Sequence, residues 1–320
     1  MRKEWRPDHV PTVQRFMLSN KFLRYLQGPF GSGKSVGCVQ EIVKRAAMQA
    51  PNENNVRRTR FAVIRNTYRQ LQDTTIRTFL DWYQDRVWGT YKVADTEFLM
   101  KFQLPDETVV ECEVLFRALD RPDQVGNLLS LELTGAWCNE AREMPKEIWD
   151  ALQGRVGRFP SMAEGGCTWH GIFADSNPPD DDHWIYETFE VARPDNAEAF
   201  YQPSGLSARA ENVPNLPKNY YKNMAKGKKD DYIRVYIEGK YGYVQDGKPV
   251  YPEYNDQIHT STDIIPFDPR QELFRGWDFG RTPSCIFGQS VNGRIIIIDE
   301  LTAEGTGIEG FAKVVLDYTK

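Results

Sequence analysis

Eight residues near the amino terminus, Gly28-Pro29-Phe30-Gly31-Ser32-Gly33-Lys34-Ser35, satisfy the pattern G-x-x-x-x-G-K-[S/T] in full. Glycines at these positions let successive backbone N–H groups wrap an anionic phosphate, the lysine balances its charge, and the serine hydroxyl is a hard oxygen donor suited to Mg²⁺. The pattern sits between a predicted strand at 22–27 and a helical periodicity after Ser35, the context it requires. A glycine-rich strand-to-helix turn with a chance lysine is the bland alternative, and it leaves both pattern and context to coincidence. About twenty residues upstream of Lys34, Gln14 has the donor and acceptor needed to read an adenine amino edge; a surface glutamine at a helix start fits it as well.

Hydrolysis of a bound triphosphate also needs an acidic element on a neighbouring strand. The apolar run ending Gly135-Ala136-Trp137-Cys138-Asn139-Glu140 supplies it, with Glu140 as the candidate base and Asn139 where an aspartate is usual. A third run, Gly171-Ile172-Phe173-Ala174-Asp175-Ser176-Asn177-Pro178-Pro179, ends in polar residues. In a parallel α/β sheet the ligand lies beyond the carboxyl ends of the strands, which puts Ser176 and Asn177 in range of a γ-phosphate; a Pro-Pro turn with its usual polar neighbours explains them equally.

The elements that must position these residues follow the alternation of an α/β protein. Strands are expected at 22–27, 61–65, 109–116, 129–137 and 168–174, and helices after Ser35, after Thr67, after Pro145 and around 184–191. Residues 180–198 hold seven acids and one arginine, whereas 212–229 hold five lysines and no acid, which marks a boundary region. A turn-rich linker follows Gly239. Near Leu273 a new unit begins: strand, turn, strand, an Asn292-Gly293 hairpin turn, strand, and an amphipathic helix from about Gly307. The chain ends at Lys320 inside what reads as an incomplete domain.

The 320 residues carry 40 Lys+Arg against 45 Asp+Glu, a net charge of −5, which disfavours a simple basic DNA-binding module. No apolar run approaches the ~20 residues of a membrane span, and the amino terminus lacks the apolar core of a secretory signal. Five dispersed cysteines and four histidines without an HExxH pattern point away from a disulfide framework and from common zinc sites. A reducing cytosol is the expected compartment.

Together with the phosphate loop, Thr134-Gly135-Ala136-Trp137-Cys138-Asn139-Glu140-Ala141-Arg142-Glu143, Leu152-Gln153-Gly154-Arg155-Val156-Gly157-Arg158-Phe159-Pro160 and Ser176-Asn177-Pro178-Pro179-Asp180-Asp181-Asp182-His183-Trp184 resemble the large terminase subunit of tailed bacteriophages. The similarity continues through Gln202-Pro203-Ser204-Gly205, Glu211-Asn212, Gly239-Lys240-Tyr241-Gly242, Val250-Tyr251-Pro252 and Gly276-Trp277-Asp278-Phe279-Gly280. The resemblance implies an N-terminal ASCE-type P-loop ATPase with a mostly parallel sheet over residues 1–205. A small helical subdomain and linker would follow at 206–245, and the N-terminal part of an RNase H-like nuclease at 246–320.

The same resemblance implies an ATP-driven motor that moves double-stranded DNA into a procapsid. Its expected partners are a portal protein and a small terminase subunit, and its expected assembly is a homo-oligomeric ring, a pentamer, with no membrane. The site of action would be the host cytoplasm, at the portal vertex. ATP would be held by Gln14, Gly28, Gly31, Ser32, Gly33, Lys34 and Ser35, with Mg²⁺ on Ser35; Glu140 would activate water, with Asn139 beside it, and Ser176-Asn177 would couple hydrolysis to movement.

The family often places an arginine inside the phosphate loop, and this loop has none. The candidates for an arginine finger are Arg65, Arg69, Arg142, Arg155 and Arg158, each of which also reads as a solvated surface residue. Asp278 matches the first Mg²⁺- or Mn²⁺-binding acid of the nuclease. Asp299 and Glu300 are the nearby acids, and the chain as it stands is not expected to cut DNA. Two alternatives remain open: a metal-dependent endonuclease without motor activity, and a non-catalytic assembly subunit. Arg57-Arg58-Thr59-Arg60 and the lysines of 218–229, with Tyr220 and Tyr221, are the candidate DNA tracks or, equally, solvated faces.

Overall fold

The computed structural model describes residues 4–119, 125–243, 256–261, 263–280 and 282–319. Most of the expected linker, together with Val250-Tyr251-Pro252, lies outside the described residues. The chain divides into two units, Met1–Asp246 and Gly247–Lys320. Among the described residues no helix is long and apolar enough to cross a membrane, and all five cysteines are free thiols.

The first unit runs α1 (Pro11–Leu18), β1 (Leu23–Gln27), α2 (Lys34–Met48), β2 (Val56–Arg65), and α3 (Tyr68–Gln70) continuing through a π-helical turn (Leu71–Ile76) into α4 (Arg77–Trp82). It continues with β3 (Gly89–Lys92), β4 (Glu97–Gln103), β5 (Val109–Ala118), α5 (Val125–Leu128), β6 (Gly135–Asn139), α6 (Lys146–Gln153) and β7 (Gly171–Ser176). Then come α7 (Trp184–Tyr186) with its π-helical extension (Glu187–Ala192), β8 (Ala197–Tyr201), α8 (Tyr220–Ala225) and α9 (Asp230–Tyr232). The strands form one sheet in the order β3-β4-β5-β2-β6-β7-β1-β8. From β5 to β8 all neighbours are parallel, and β4 and β3 extend the edge antiparallel.

Strand alternation divides the apolar residues between two faces. Leu26, Phe61, Val63, Trp137 and Phe173 pack with Val13, Phe16, Val39, Ile42 and Phe79 of α1, α2 and α4. Their sequence neighbours Tyr25, Ala62, Ile64, Ala136, Cys138, Ile172 and Ala174 pack on the other side with Ile148, Trp149, Leu152 and Ile185. Both faces are covered, so the central strands read as continuous apolar runs, which is what made them legible.

The strand expected at 129–137 begins only at Gly135. Before it, the Thr134 hydroxyl accepts from Arg60 N at 2.9 Å and donates to Phe159 O at 2.6 Å. Leu133 makes an isolated bridge to Val156. Thr134 N also donates to Arg60 O at 2.7 Å, so side-chain anchoring supplements a shortened ladder in the approach to β6. Strands β3, β4 and β8 were not among the sequence expectations; β3 and β8 are short and half-buried, whereas β4 alternates buried Phe98 and Met100 with more exposed neighbours.

In the second unit α10 (Asp256–His259) precedes β9 (Leu273–Asp278), β10 (Ser284–Val291), β11 (Arg294–Thr302) and α11 (Ile308–Tyr318). The sheet order is β11-β10-β9, antiparallel throughout. Asn292 and Gly293, at φ 51° and 76°, make the two-residue left-handed turn that joins β10 to β11. Phe311 and Val315 of α11 bury against Cys285 and Phe287.

Candidate nucleotide site

The phosphate loop leaves the carboxyl end of β1 and enters α2. Gly31 (φ 69°) and Gly33 (φ 86°) occupy the left-handed region that a side chain would strain. A Cβ on Gly28 would lie 2.2 Å from Gln202 Oε1, so glycine there lets later chain pack directly on the loop. Gln202 uses that proximity: its Nε2 donates to Ser32 O and to Glu211 Oε2, both at 2.9 Å, and its Oε1 lies 2.6 Å from Ser32 Oγ. Glu211 in turn accepts from Thr12 N at 2.9 Å. Asn212 Nδ2 donates to Gly31 O at 2.7 Å and Asn177 Nδ2 to Gly28 O at 2.8 Å.

The outer side of the loop is walled by residues 220–239. The Phe30 ring stacks on Tyr236 with centroids 4.6 Å apart, Phe30 N donates to Tyr236 O at 2.9 Å, and Tyr221 Oη donates to Phe30 O at 2.9 Å.

Lys34 Nζ donates to Gly28 O and Pro29 O at 2.9 and 2.8 Å. Burial pushes the Lys34 ammonium below its ordinary pKa, opposed by the charges of Glu140 and Asp175. Ser35 Oγ donates to Asp175 Oδ2 at 2.8 Å. The other oxygen of Asp175 accepts from Trp137 Nε1 at 2.8 Å and from Asn139 Nδ2 at 3.0 Å, and Asn139 Oδ1 accepts from Thr75 Oγ1 at 2.7 Å.

Glu140 follows β6 in a left-handed conformation, φ 53° and ψ 54°. Desolvation raises its carboxyl pKa; Asp175 and Glu143 add to the rise, and Lys34 and Arg65 oppose it. A carboxylate raised in this way is a stronger proton acceptor than an ordinary glutamate when ionised. The site thus gathers a phosphate cradle, a cation, a hydroxyl backed by an anion, and a poised base.

Of the expected residues, the loop glycines, Ser32, Lys34, Ser35, Asn139, Glu140 and Asn177 converge at the carboxyl ends of β1, β6 and β7. Ser176 follows strand alternation to the opposite face, where its hydroxyl is 2.9 Å from Tyr25 Oη. Gln14 is exposed on α1, one turn beyond Val10, which flanks Gly33.

The arginines separate. Arg65, buried at the end of β2, donates to Glu143 at 2.9 Å. Arg142 reaches Pro178 O and Tyr236 Oη, each at 3.3 Å. Arg69 is exposed and pairs with Asp73. Arg155 donates to Leu129 O, and the backbones of Arg155 and Arg158 pair with Leu133, ahead of the amino end of β6. That is the far edge of the sheet from the phosphate loop, so neither belongs to this chain's own site.

Sequence reading passed over Asp175, although it stands in the same strand-end run as Ser176-Asn177. Gln202 and Glu211 carry no local signal of their role, since a brace that closes between positions 32 and 202 has no local pattern.

In the second unit, antiparallel pairing puts Asp278, Ser284 and Thr302 on one face with Gly276, Ile286 and Glu300. Asp299 pairs opposite Phe287 on the helix-covered face and accepts from Tyr318 Oη, so it does not share a face with Asp278. Among the described residues no group of three or more His, Cys, Asp or Glu is disposed to hold a metal.

The candidate DNA tracks also separate. Arg57, Arg58 and Arg60 are paired to Asp106, Glu164 and Glu113. Lys218, Lys222, Lys226, Lys228 and Lys229 are exposed.

A family model described as phage terminase large subunit matches residues 20–240. The chain belongs to that family. Comparison with curated proteins finds no match. Among solved structures, the large terminase of a thermophilic bacteriophage is similar over 99% of this chain and 74% of its own, at 14% identity and a TM-score of 0.58. The same terminase in complex with ADP gives 98% and 74%, at 14% identity and 0.59. The bacteriophage HK97 large terminase gives 94% and 63%, at 11% identity and 0.50. At these identities the terminase structures speak to fold: a large, mostly parallel P-loop ATPase sheet in the first unit, and a small sheet in the second.

Proposed function

We propose that this terminase large subunit hydrolyses ATP and uses the energy to move double-stranded DNA into a procapsid. The observation that carries the reading is the convergence of Lys34, Ser35 and Glu140 at the carboxyl ends of β1 and β6, with Glu140 held above the ordinary carboxylate range. The donor set suits Mg²⁺, which takes hard oxygen ligands, keeps several waters and needs few protein groups: the Ser35 hydroxyl, donating to a buried carboxylate and accepting from Asn139, keeps one lone pair for the metal. Bound there, the ion would neutralise charge on the β- and γ-phosphates.

The loop N–H groups cradle the phosphates. Lys34 exchanges the Gly28 and Pro29 carbonyls for phosphate oxygens, and Glu140 takes the proton of the attacking water. Arg65 and Arg142, the two candidates beside Glu140 and Pro178, can respond to charge on the γ-phosphate within one subunit; an arginine from a neighbouring ring subunit is the other source. Portal protein, small subunit, a pentameric ring and action in the host cytoplasm at the portal vertex complete the proposal, on the strength of family membership. The nuclease role of the family rests on Asp278 alone of the matched acids.

The test is steady-state ATPase of the chain beside Lys34→Ala and Glu140→Gln. Each variant is expected to lose about 10²–10⁴-fold in kcat, the range for losing a positioned proton acceptor or phosphate-stabilising group. Glu140→Gln should still bind nucleotide. Equal rates for the three proteins would overturn the motor reading in favour of a non-catalytic assembly subunit.

A further inference from the structure

We propose that Asp175, one strand away from the position where this kind of site usually keeps its metal-shell aspartate, performs that task here, acting on Mg²⁺ through Ser35. The inference rests on the ATPase reading of the site. Strands β6 and β7 run parallel with Asn139 directly opposite Asp175, so the two side chains leave the sheet at the same height and on the same face. Ser35 Oγ is within reach of both: it donates to Asp175 Oδ2 at 2.8 Å and lies 3.3 Å from Asn139 Nδ2. The chemistry of an acid beside the loop serine is therefore present, with its charge on β7 instead of β6.

The surrounding bonds fix which of the two positions is the acid. Asn139 accepts from Thr75 through Oδ1 and donates through Nδ2 to Asp175 Oδ1. An aspartate at 139 would have no N–H to donate to Asp175 Oδ1 or to Ser35 Oγ, and would set a second carboxylate about 3 Å from the first. Asn139 is thus what Asp175 requires of its neighbour, and the missing acid at 139 does not signify a disabled site.

Asp175 is fully buried, and the donors that hold it, Ser35, Trp137 and Asn139, are all neutral. Lys34 shares the site and interacts electrostatically with Asp175, but no cation bonds the carboxylate directly among these contacts, and burying it is costly. A divalent ion held by Ser35 would relieve that cost: the hydroxyl donates to Asp175 and accepts from Asn139 Nδ2, which leaves one lone pair for the metal. Asp175 is accordingly a positioning residue, two bonds removed from the ion.

The experiment measures the affinity of a fluorescent ATP analogue with saturating Mg²⁺ and with EDTA. Wild-type, Asp175→Asn, Ser35→Ala, the double Asp175→Asn/Ser35→Ala and the exchange Asn139→Asp/Asp175→Asn are compared, each checked by thermal unfolding. The expected result for Asp175→Asn is a fall of about 10–100-fold in the Mg²⁺-to-EDTA affinity ratio, the usual cost of removing a partner that orients a metal ligand. The double variant should lose no more than Ser35→Ala alone, because both act along one path. The exchange, which returns the single negative charge to the pair, should recover most of the ratio.

A folded Asp175→Asn with the wild-type ratio overturns the inference, and so does a folded exchange variant that recovers nothing. If Asp175→Asn does not fold, the exchange variant decides by the same criterion. Wild-type that binds nucleotide with no Mg²⁺ enhancement also overturns it, while wild-type that binds no nucleotide at all removes the ATPase reading and this inference together.

Discussion

At the scale of single residues, the site is governed by where charge is buried. Glu140 is raised by desolvation and, secondarily, by Asp175 and Glu143, and is held down by Lys34 and Arg65. A base works only when ionised, so ATPase should fall as pH drops through the Glu140 pKa, above the ~4.3 of an ordinary glutamate. Removing Arg65 takes away one of the charges that favour the ionised form. Arg65→Gln is therefore expected to move the acid limb of the kcat–pH profile upward, and an unmoved limb would show that Arg65 does not act on Glu140. The loop and Glu140 were legible in the sequence because their chemistry is local: eight consecutive residues, and one acid at a strand end. Asp175 was not, since its role depends on which strand neighbours which. That adjacency, β6 beside β7, is a property of the sheet order.

Among the elements, β1 and α2 carry the loop and are fastened by a charge cluster on their buried faces. Arg24 of β1 donates to Glu41 of α2 at 2.7 Å, and Arg45, one turn on, donates to the same oxygen at 2.6 Å. Both Arg24 and Glu41 are fully buried, and the Arg24 guanidinium also lies over the Phe16 and Trp169 rings. Removing one member of such a group leaves uncompensated charge in the interior, at a cost of about 3–5 kcal/mol. Glu41→Ala should lower unfolding free energy by that amount in a denaturant titration; a loss under about 1 kcal/mol, the range of exposed pairs, would show that the cluster is not stabilising. The apolar helices and central strands were legible because both sheet faces are covered, whereas β3, β4 and β8 lie toward the sheet edges, where burial weakens.

For the whole molecule, a net charge of −5 gave no guide to DNA contact, because acids and bases are used locally. Three arginines of 57–60 are consumed by acids on neighbouring strands and loops, while the lysines of 218–229 stay exposed on and around α8. Phosphate contacts through these lysines would release counterions, so DNA-stimulated ATPase should weaken steeply with salt. Lys222→Glu/Lys226→Glu/Lys229→Glu should flatten the log–log salt slope by about 0.9 for each contact removed. A slope equal to wild type would exclude this stretch as the track.

The wall around Phe30 bears on how such a molecule could do mechanical work. Stacking, two hydrogen bonds and the Asn212 contact to Gly31 join the phosphate loop to residues some two hundred positions later, and Arg142 touches the same Tyr236 from beside Glu140. The loop consequently has no private freedom: a change in its shape must carry Tyr236 and Asn212 along or break their contacts. Loop and wall behave as a crank and its rod, with stroke set by how far Phe30 travels.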